Sequence, residues 1–205
     1  MAKGDSDRAI HNYDQVIQLR PTLALGFYAR GVAYGSKGDG DHSIADYGEA
    51  IRLKPEYAEA FNNRGAAYAA RNDFARAIED YNQALRLNPD LEPALSGRCW
   101  MYALLNKSLR GALTDCNSAL KLKPNDARTL SSRGFVFFRM GEYGLAIQDF
   151  DSSLSLDSGS SISLYARALA KRRLNRVSES DSDIAAARSL DSNIERKFAD
   201  VGVTP

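Results

Sequence analysis

The chain has 205 residues, 44% of them hydrophobic and 26% charged, so it can bury a substantial core. Its 27 basic and 26 acidic residues give a net charge of +1, without the basic excess that nucleic-acid binding normally shows. No run is apolar enough to span a bilayer and the start MAKGDSDRAI has no signal-peptide pattern, so no membrane contact and a cytoplasmic location are expected.

The first predicted element is a helix over about Asp5 to Leu19, running into Pro21 in YDQVIQLRPT (Tyr13–Thr22). The same ending returns as YGEAIRLKPE (Tyr47–Glu56), YNQALRLNPD (Tyr81–Asp90) and CNSALKLKPN (Cys116–Asn125). Aligned on these endings, Tyr13, Tyr47, Tyr81, Cys116, Phe150 and Ile184 are spaced 34, 34, 35, 34 and 34 residues apart. Val16, Ala50, Ala84, Ala119, Ser153 and Ala187 lie three residues further on. Pro21, Pro55, Pro89 and Pro124 close the first four endings, with Ser158 and Ser192 at the last two sites.

A second series lies upstream in each unit. Gly31, Gly65, Cys99, Gly134 and Ala168 are all small. Phe27, Phe61, Leu95, Leu130 and Leu164 precede them by four; Tyr34, Tyr68, Tyr102 and Phe137 follow by three, until Lys171 breaks the series. Spacings of four and three share one helical face, and the small residue lets a second helix approach it. Each unit therefore reads as helix, turn, helix, with the turns SKGDGD, ARNDF, NKSLRG and RMGEY. The one extra residue lies between Tyr102 and Ala112, in a turn, where it disturbs no helix register.

The stretch AFNNRGAAYAARNDFARAIEDYNQALRLNP (Ala60–Pro89) resembles the tetratricopeptide repeat family at nearly every signature site, and the likeness recurs along essentially the whole chain. The resemblance implies an all-α, right-handed superhelical solenoid of antiparallel helix pairs with a concave groove. A single array over 1–205 is expected: the second helix of a partial repeat over 1–21, full repeats over 22–55, 56–89, 90–124, 125–158 and 159–192, and a short capping helix over 193–205. The first helix lacks the partner that precedes every other second helix. Its Ala9, Ile10, Tyr13, Val16 and Ile17 either continue a longer array or pair with another chain.

An arginine precedes each small site (Arg30, Arg64, Arg98, Arg133, Arg167), and an aspartate precedes five of the aligned second-helix sites (Asp46, Asp80, Asp115, Asp149, Asp183). Fixed phase predicts an ion-pair ladder that sets helix register, with anion binding as the alternative. Cys99 and Cys116 fall at facing sites and read as two buried, inert thiols, with a redox pair as the alternative. His11 and His42 are too few and too far apart for a histidine metal site. No catalytic constellation emerges, GSKGDG is not a phosphate loop, and neither enzyme activity nor a metal or cofactor is expected.

By the family resemblance, the flank of each first helix opposite its partner lines the groove. It supplies Tyr28; Asn62 and Asn63; Trp100; Arg128, Phe135, Phe138 and Arg139; and Leu169 and Arg172 as candidate peptide-binding residues. Ile162, Tyr165 and Arg173 share the last of these rows. The Lys–Asn–Asn–Lys–Arg clamp of co-chaperones is absent: Tyr28, Val32, Asn63, Pro93 and Gly97 stand in the strongest frame. The asparagine ladder of glycosyltransferase-type arrays is absent too, its row reading Ala29, Asn63, Gly97, Ser132, Ala166. The expectation is a non-enzymatic interaction scaffold for a peptide or protein segment with apolar and acidic side chains. Replacing Phe135 and Arg139 with Glu is expected to abolish binding without unfolding. The alternatives are a self-assembling module, a homo-oligomer joined through the N-terminal helix, or the interaction arm of a larger enzyme.

Overall fold

Every turn and helix end of the repeat is fixed by local chemistry. A computed structural model describes residues 3–204. The described residues form twelve helices and no strand: α1 (Lys3–Leu19), α2 (Ala24–Lys37), α3 (Gly40–Leu53), α4 (Ala58–Ala70), α5 (Phe74–Leu87), α6 (Glu92–Leu104), α7 (Leu109–Leu122), α8 (Ala127–Met140), α9 (Tyr143–Leu156), α10 (Ser161–Arg173), α11 (Val177–Leu190) and α12 (Ile194–Asp200). The turn inside each pair carries a left-handed residue: Gly38, Asn72, Asn106, Gly141 and Asn175, the residue types that accept positive φ at least cost. The turn with the extra residue needs a second one, Ser108 at φ 45°. The insertion thus stays in the turn, and α7 starts in phase.

The second helix of each pair ends the same way. Lys54, Asn88, Lys123, Asp157 and Asp191 turn extended while their N–H groups still donate to the carbonyls of Ala50, Ala84, Ala119, Ser153 and Ala187. Proline follows at 55, 89 and 124 and stops the helix. At the last two sites serine replaces it, and the side chains of Asp157 and Asp191 accept from the backbone N–H groups of Gly159 and Asn193. The Asn88 side chain makes the same turn with the Asp90 N–H, so at these sites the aspartate turn is kept without the proline.

The chain folds as two compact units, Met1–Gly97 and Arg98–Pro205. In the first, α1 packs on α2, α2 on α3, α3 on α4 and α4 on α5. In the second, α7 packs on α8, α8 on α9, α9 on α10 and α10 on α11, with α12 against α10. The small sites make the pairs close. A Cβ on Gly31 would lie 2.9 Å from Tyr47, one on Gly65 3.1 Å from the Ala77 carbonyl, and one on Gly134 2.9 Å from Phe150.

In the α6–α7 pair the same contact is covalent. Cys99 and Cys116, both fully buried, are joined by a disulfide with their Cα atoms 5.6 Å apart. The expectation of two inert thiols is therefore corrected. The repeat brings the small and aromatic sites within van der Waals contact, and cysteine at both places meets the reach of a disulfide.

The five arginines form the ladder. Arg30, Arg64, Arg98, Arg133 and Arg167 each grip one carboxylate of the second helix through Nε and Nη2, on Asp46, Asp80, Asp115, Asp149 and Asp183, at 2.6–2.8 Å. Arg30, Arg133 and Arg167 also reach back with Nη1 to the preceding second helix, to Asp14, Asn117 and Asp151. One guanidinium thus ties a helix to its partner and to the previous pair. Bidentate geometry fixes the register of both. In the last pair Lys171, standing where the other units carry an aromatic, adds a second cation to Asp183 at 2.8 Å.

Burial alone would raise the Asp183 carboxyl, but the hydrogen bonds from Arg167 and Lys171 outweigh it and hold the group below the usual carboxylate range. The stabilisation is present above the unfolded value of about 3.9 and is lost as pH falls through the lower folded value. Asp183→Asn is expected to flatten the loss of stability below about pH 4, read by denaturant titration across pH. Reduction of Cys99–Cys116, which closes a sequence separation of 17, is expected to lower stability by about 3 kcal/mol, read as a fall in the melting temperature on adding reductant.

Candidate binding surface

The flanks of the first helices that face away from their partners differ in the two units. In the first unit the flank of α2 and α4 is open. Tyr28 and Asn63 are half-buried and joined, the Asn63 amide donating to the Tyr28 hydroxyl at 3.0 Å, and the Asn62 amide donates to Asn63 Oδ1 at 2.9 Å. The Tyr28 ring lies 4.9 Å from that of Tyr57, and burial pushes its phenol up. Leu25, Gly35, Ser36, Glu59, Ala66 and Ala70 are exposed around this polar centre.

In the second unit the corresponding flank is covered by the chain itself. Phe198 of α12 sits between Phe135 of α8 and Tyr165 of α10, with ring centroids 5.6 and 4.8 Å away, both edge-on. Phe135 also stacks on Phe138 and touches Trp100. Ile194, Phe198 and Val203 are buried in the same cluster as Phe135, Phe138, Tyr165 and Leu169. Phe135 is 1% exposed, Leu169 2% and Phe138 8%. These three are not open groove positions as their sequence phase suggests: seven residues of helix and a four-residue tail lie over them.

Exposed ion pairs join Glu195 to Arg188 and Lys197 to Asp191, and the other polar contacts of this cover run to its backbone. Arg139 donates to the carbonyls of Val201 (2.6 Å) and Gly202 (3.5 Å), and to those of Ala103 (3.3 Å) and Leu104 (3.1 Å) at the end of α6. Its guanidinium lies 5.2 Å over the Phe135 ring. Two helix C-termini, each with unsatisfied carbonyls, thus share one cation. Arg173 donates to the Thr204 carbonyl at 3.3 Å. Arg172 is paired with Asp181 at 2.6 Å, and Arg128 is exposed. Trp100 is half-buried.

Two contributors stand outside the expected set. Tyr165 shares the α10 row of Leu169 and Arg172 but is not among the candidates, and Phe198 lies in the segment expected only to cap the array. The available signal is apolar size: Ile194 and Phe198 at i, i+4 give the short last helix one apolar face, which needs a partner.

A family of helix-pair repeats is defined by this architecture. The tetratricopeptide repeat family matches residues 58–91, and a further model described as TPR repeat matches residues 1–38 and 36–70. A search of curated proteins gives no match. The fold is shared with the crystal structure of the APC/C hetero-tetramer Cut9–Hcn1, at TM-score 0.80 and 17% identity, over 98% of this chain but only 40% of that one. It is also shared with a tetratricopeptide repeat protein from Parabacteroides merdae (TM-score 0.75, 19% identity, 96% of this chain and 82% of that one). A third is YrrB, described as a TPR protein with an unusual peptide-binding site (TM-score 0.69, 16% identity, 93% and 98%). The chain is a tetratricopeptide repeat protein, and its fold is an all-α TPR solenoid.

The burial of Phe135 changes the expectation for its variant. Phe135→Glu puts a carboxylate into the core and is expected to cost more than about 4 kcal/mol, unfolding the second unit, whereas Arg128→Glu on the exposed surface is expected to stay within about 0.5 kcal/mol. Denaturant unfolding of the two variants beside the parent chain measures the difference.

Proposed function

We propose that the chain is a non-enzymatic scaffold that binds a peptide or protein segment along the inner flanks of its first helices. The observation that carries this reading is the cover on the second unit. There the flank holds a polypeptide by an aromatic socket and by arginine bonds to main-chain carbonyls, a chemistry open to many sequences. The peptide-binding site in the name of YrrB, a protein of the same fold, is in keeping with it. In the first unit, Tyr28, Asn62 and Asn63 form a polar centre among small exposed residues, suited to the backbone of an extended segment.

A photo-crosslinking residue at exposed Ala66, on the α4 flank, is expected to trap a partner in source cells. The same residue at exposed Glu79, on the second helix of that pair, is expected to trap none. Equal trapping at both positions overturns the groove assignment.

The disulfide favours a second reading, on location. We propose that the chain works in an oxidising compartment rather than the reducing cytoplasm, because a structural disulfide persists only where thiols are not kept reduced. Alkylation of protein isolated from its source under denaturing, non-reducing conditions is expected to leave Cys99 and Cys116 unlabelled; labelling of both places the chain among reduced proteins.

A further inference from the structure

The partner of the second unit can be inferred from what the present occupant leaves unsatisfied. Arg139 donates to four neutral carbonyls, and no carboxylate of the described residues forms an ion pair with it. Every ladder arginine, by contrast, has a carboxylate. Burial pushes the Arg139 guanidinium down from its ordinary value, with no charge partner to offset the cost. On α10, the Tyr165 hydroxyl is buried without a hydrogen-bond partner, in a side chain whose ring meets Phe198. A buried hydroxyl left unpaired is itself costly.

The occupant is also weakly built. α12 has seven residues, far below the length at which an isolated helix is stable in water. Its Glu195, Arg196, Lys197, Ala199 and Asp200 are exposed, so three apolar side chains, Ile194, Phe198 and Val203, anchor it.

We infer that residues 194–204 are a displaceable occupant of the α8–α10 flank, and that its external partner is an acidic polypeptide segment that seats an aromatic ring in the Phe198 socket and sets an Asp or Glu side chain against Arg139. The inference rests on the scaffold reading above. A carboxylate on Arg139 turns bonds from a cation to neutral carbonyls into an ion pair with charge on both sides, and the planar fork can grip it with two bonds. That gain is what lets an external segment compete with a tethered one, since tethering gives the occupant a high effective concentration and taxes every competitor by the fraction of time the flank is open.

The test uses the full chain and two amidated peptides with the sequence of residues 191–204, one with Asp and one with Asn in place of Val201. Amidation removes the terminal carboxylate, so the two differ by one side-chain charge. Binding is measured by fluorescence anisotropy and release by hydrogen exchange with mass spectrometry. The Asp peptide is expected to bind about tenfold more tightly than the Asn peptide, as a carboxylate in place of a neutral amide acceptor on the guanidinium implies. At saturation it is expected to speed amide exchange in residues 194–203 while α8 and α10 exchange no faster. In Arg139→Gln the preference for Asp is expected to vanish; the two-peptide comparison on the parent chain stands even if that variant folds poorly. Equal affinities overturn the role of Arg139. Binding with unchanged exchange in 194–203 overturns displacement and leaves the scaffold reading intact. Failure of either peptide to bind, with 194–203 exchanging freely, overturns both.

Discussion

The structure depends on how closely two helices of one pair can approach. Gly31, Gly65 and Gly134 leave no Cβ where the aromatic of the second helix must lie, and any larger side chain there meets Tyr47, Tyr81 or Phe150 within about 3 Å. Only at that separation can an arginine next to the glycine reach the aspartate next to the aromatic with both arms of its fork. Packing sets the distance; the ion pair then sets rotation and register. Partly buried pairs of this kind add little net stability but tolerate few alternative geometries. The disulfide of the α6–α7 pair is the same contact made covalent, which explains why both cysteines fall in signature positions rather than in loops.

A repeat of this kind buries one face of each helix against its neighbours and leaves the inner flank of the first helices to be dealt with separately. The two units deal with it differently. Around Tyr28 and Asn63 the flank is polar and small, and solvent reaches it without penalty. Around Phe135, Phe138 and Leu169 it is too apolar to stand open, since a contiguous patch of large apolar residues demands cover. Residues 194–204 provide it. The position of α12 follows from that patch: its rings hold the chain's own segment.

That cover also distributes the charges. Of the arginines on the inner flank, Arg172 is neutralised by Asp181 of the neighbouring helix, while Arg139 faces carbonyl oxygens from two helix ends. A guanidinium pointed at helix C-termini is favourably placed by their dipoles, but it remains a cation among neutral acceptors. The asymmetry is local, since the overall charge is close to zero.

The sequence by itself determined the helices, their pairing and their register. A period of 34, small residue opposite aromatic, arginine opposite aspartate and proline after the first four second helices are local or one-repeat-away constraints, and each is written in residue type and spacing. The extra residue could be placed in one turn for the same reason. The sequence also put Cys99 and Cys116 face to face, but residue types alone do not say whether two adjacent thiols are joined. What only the tertiary structure decided was the fate of the inner flank. Periodicity marks Phe135, Phe138 and Leu169 as facing away from their partner helices, and they do; it carries no information on whether another part of the chain lies over them. That depended on Phe198, some sixty residues from Phe135, finding a socket whose two walls come from different repeats, a long-range contact with no spacing rule to announce it.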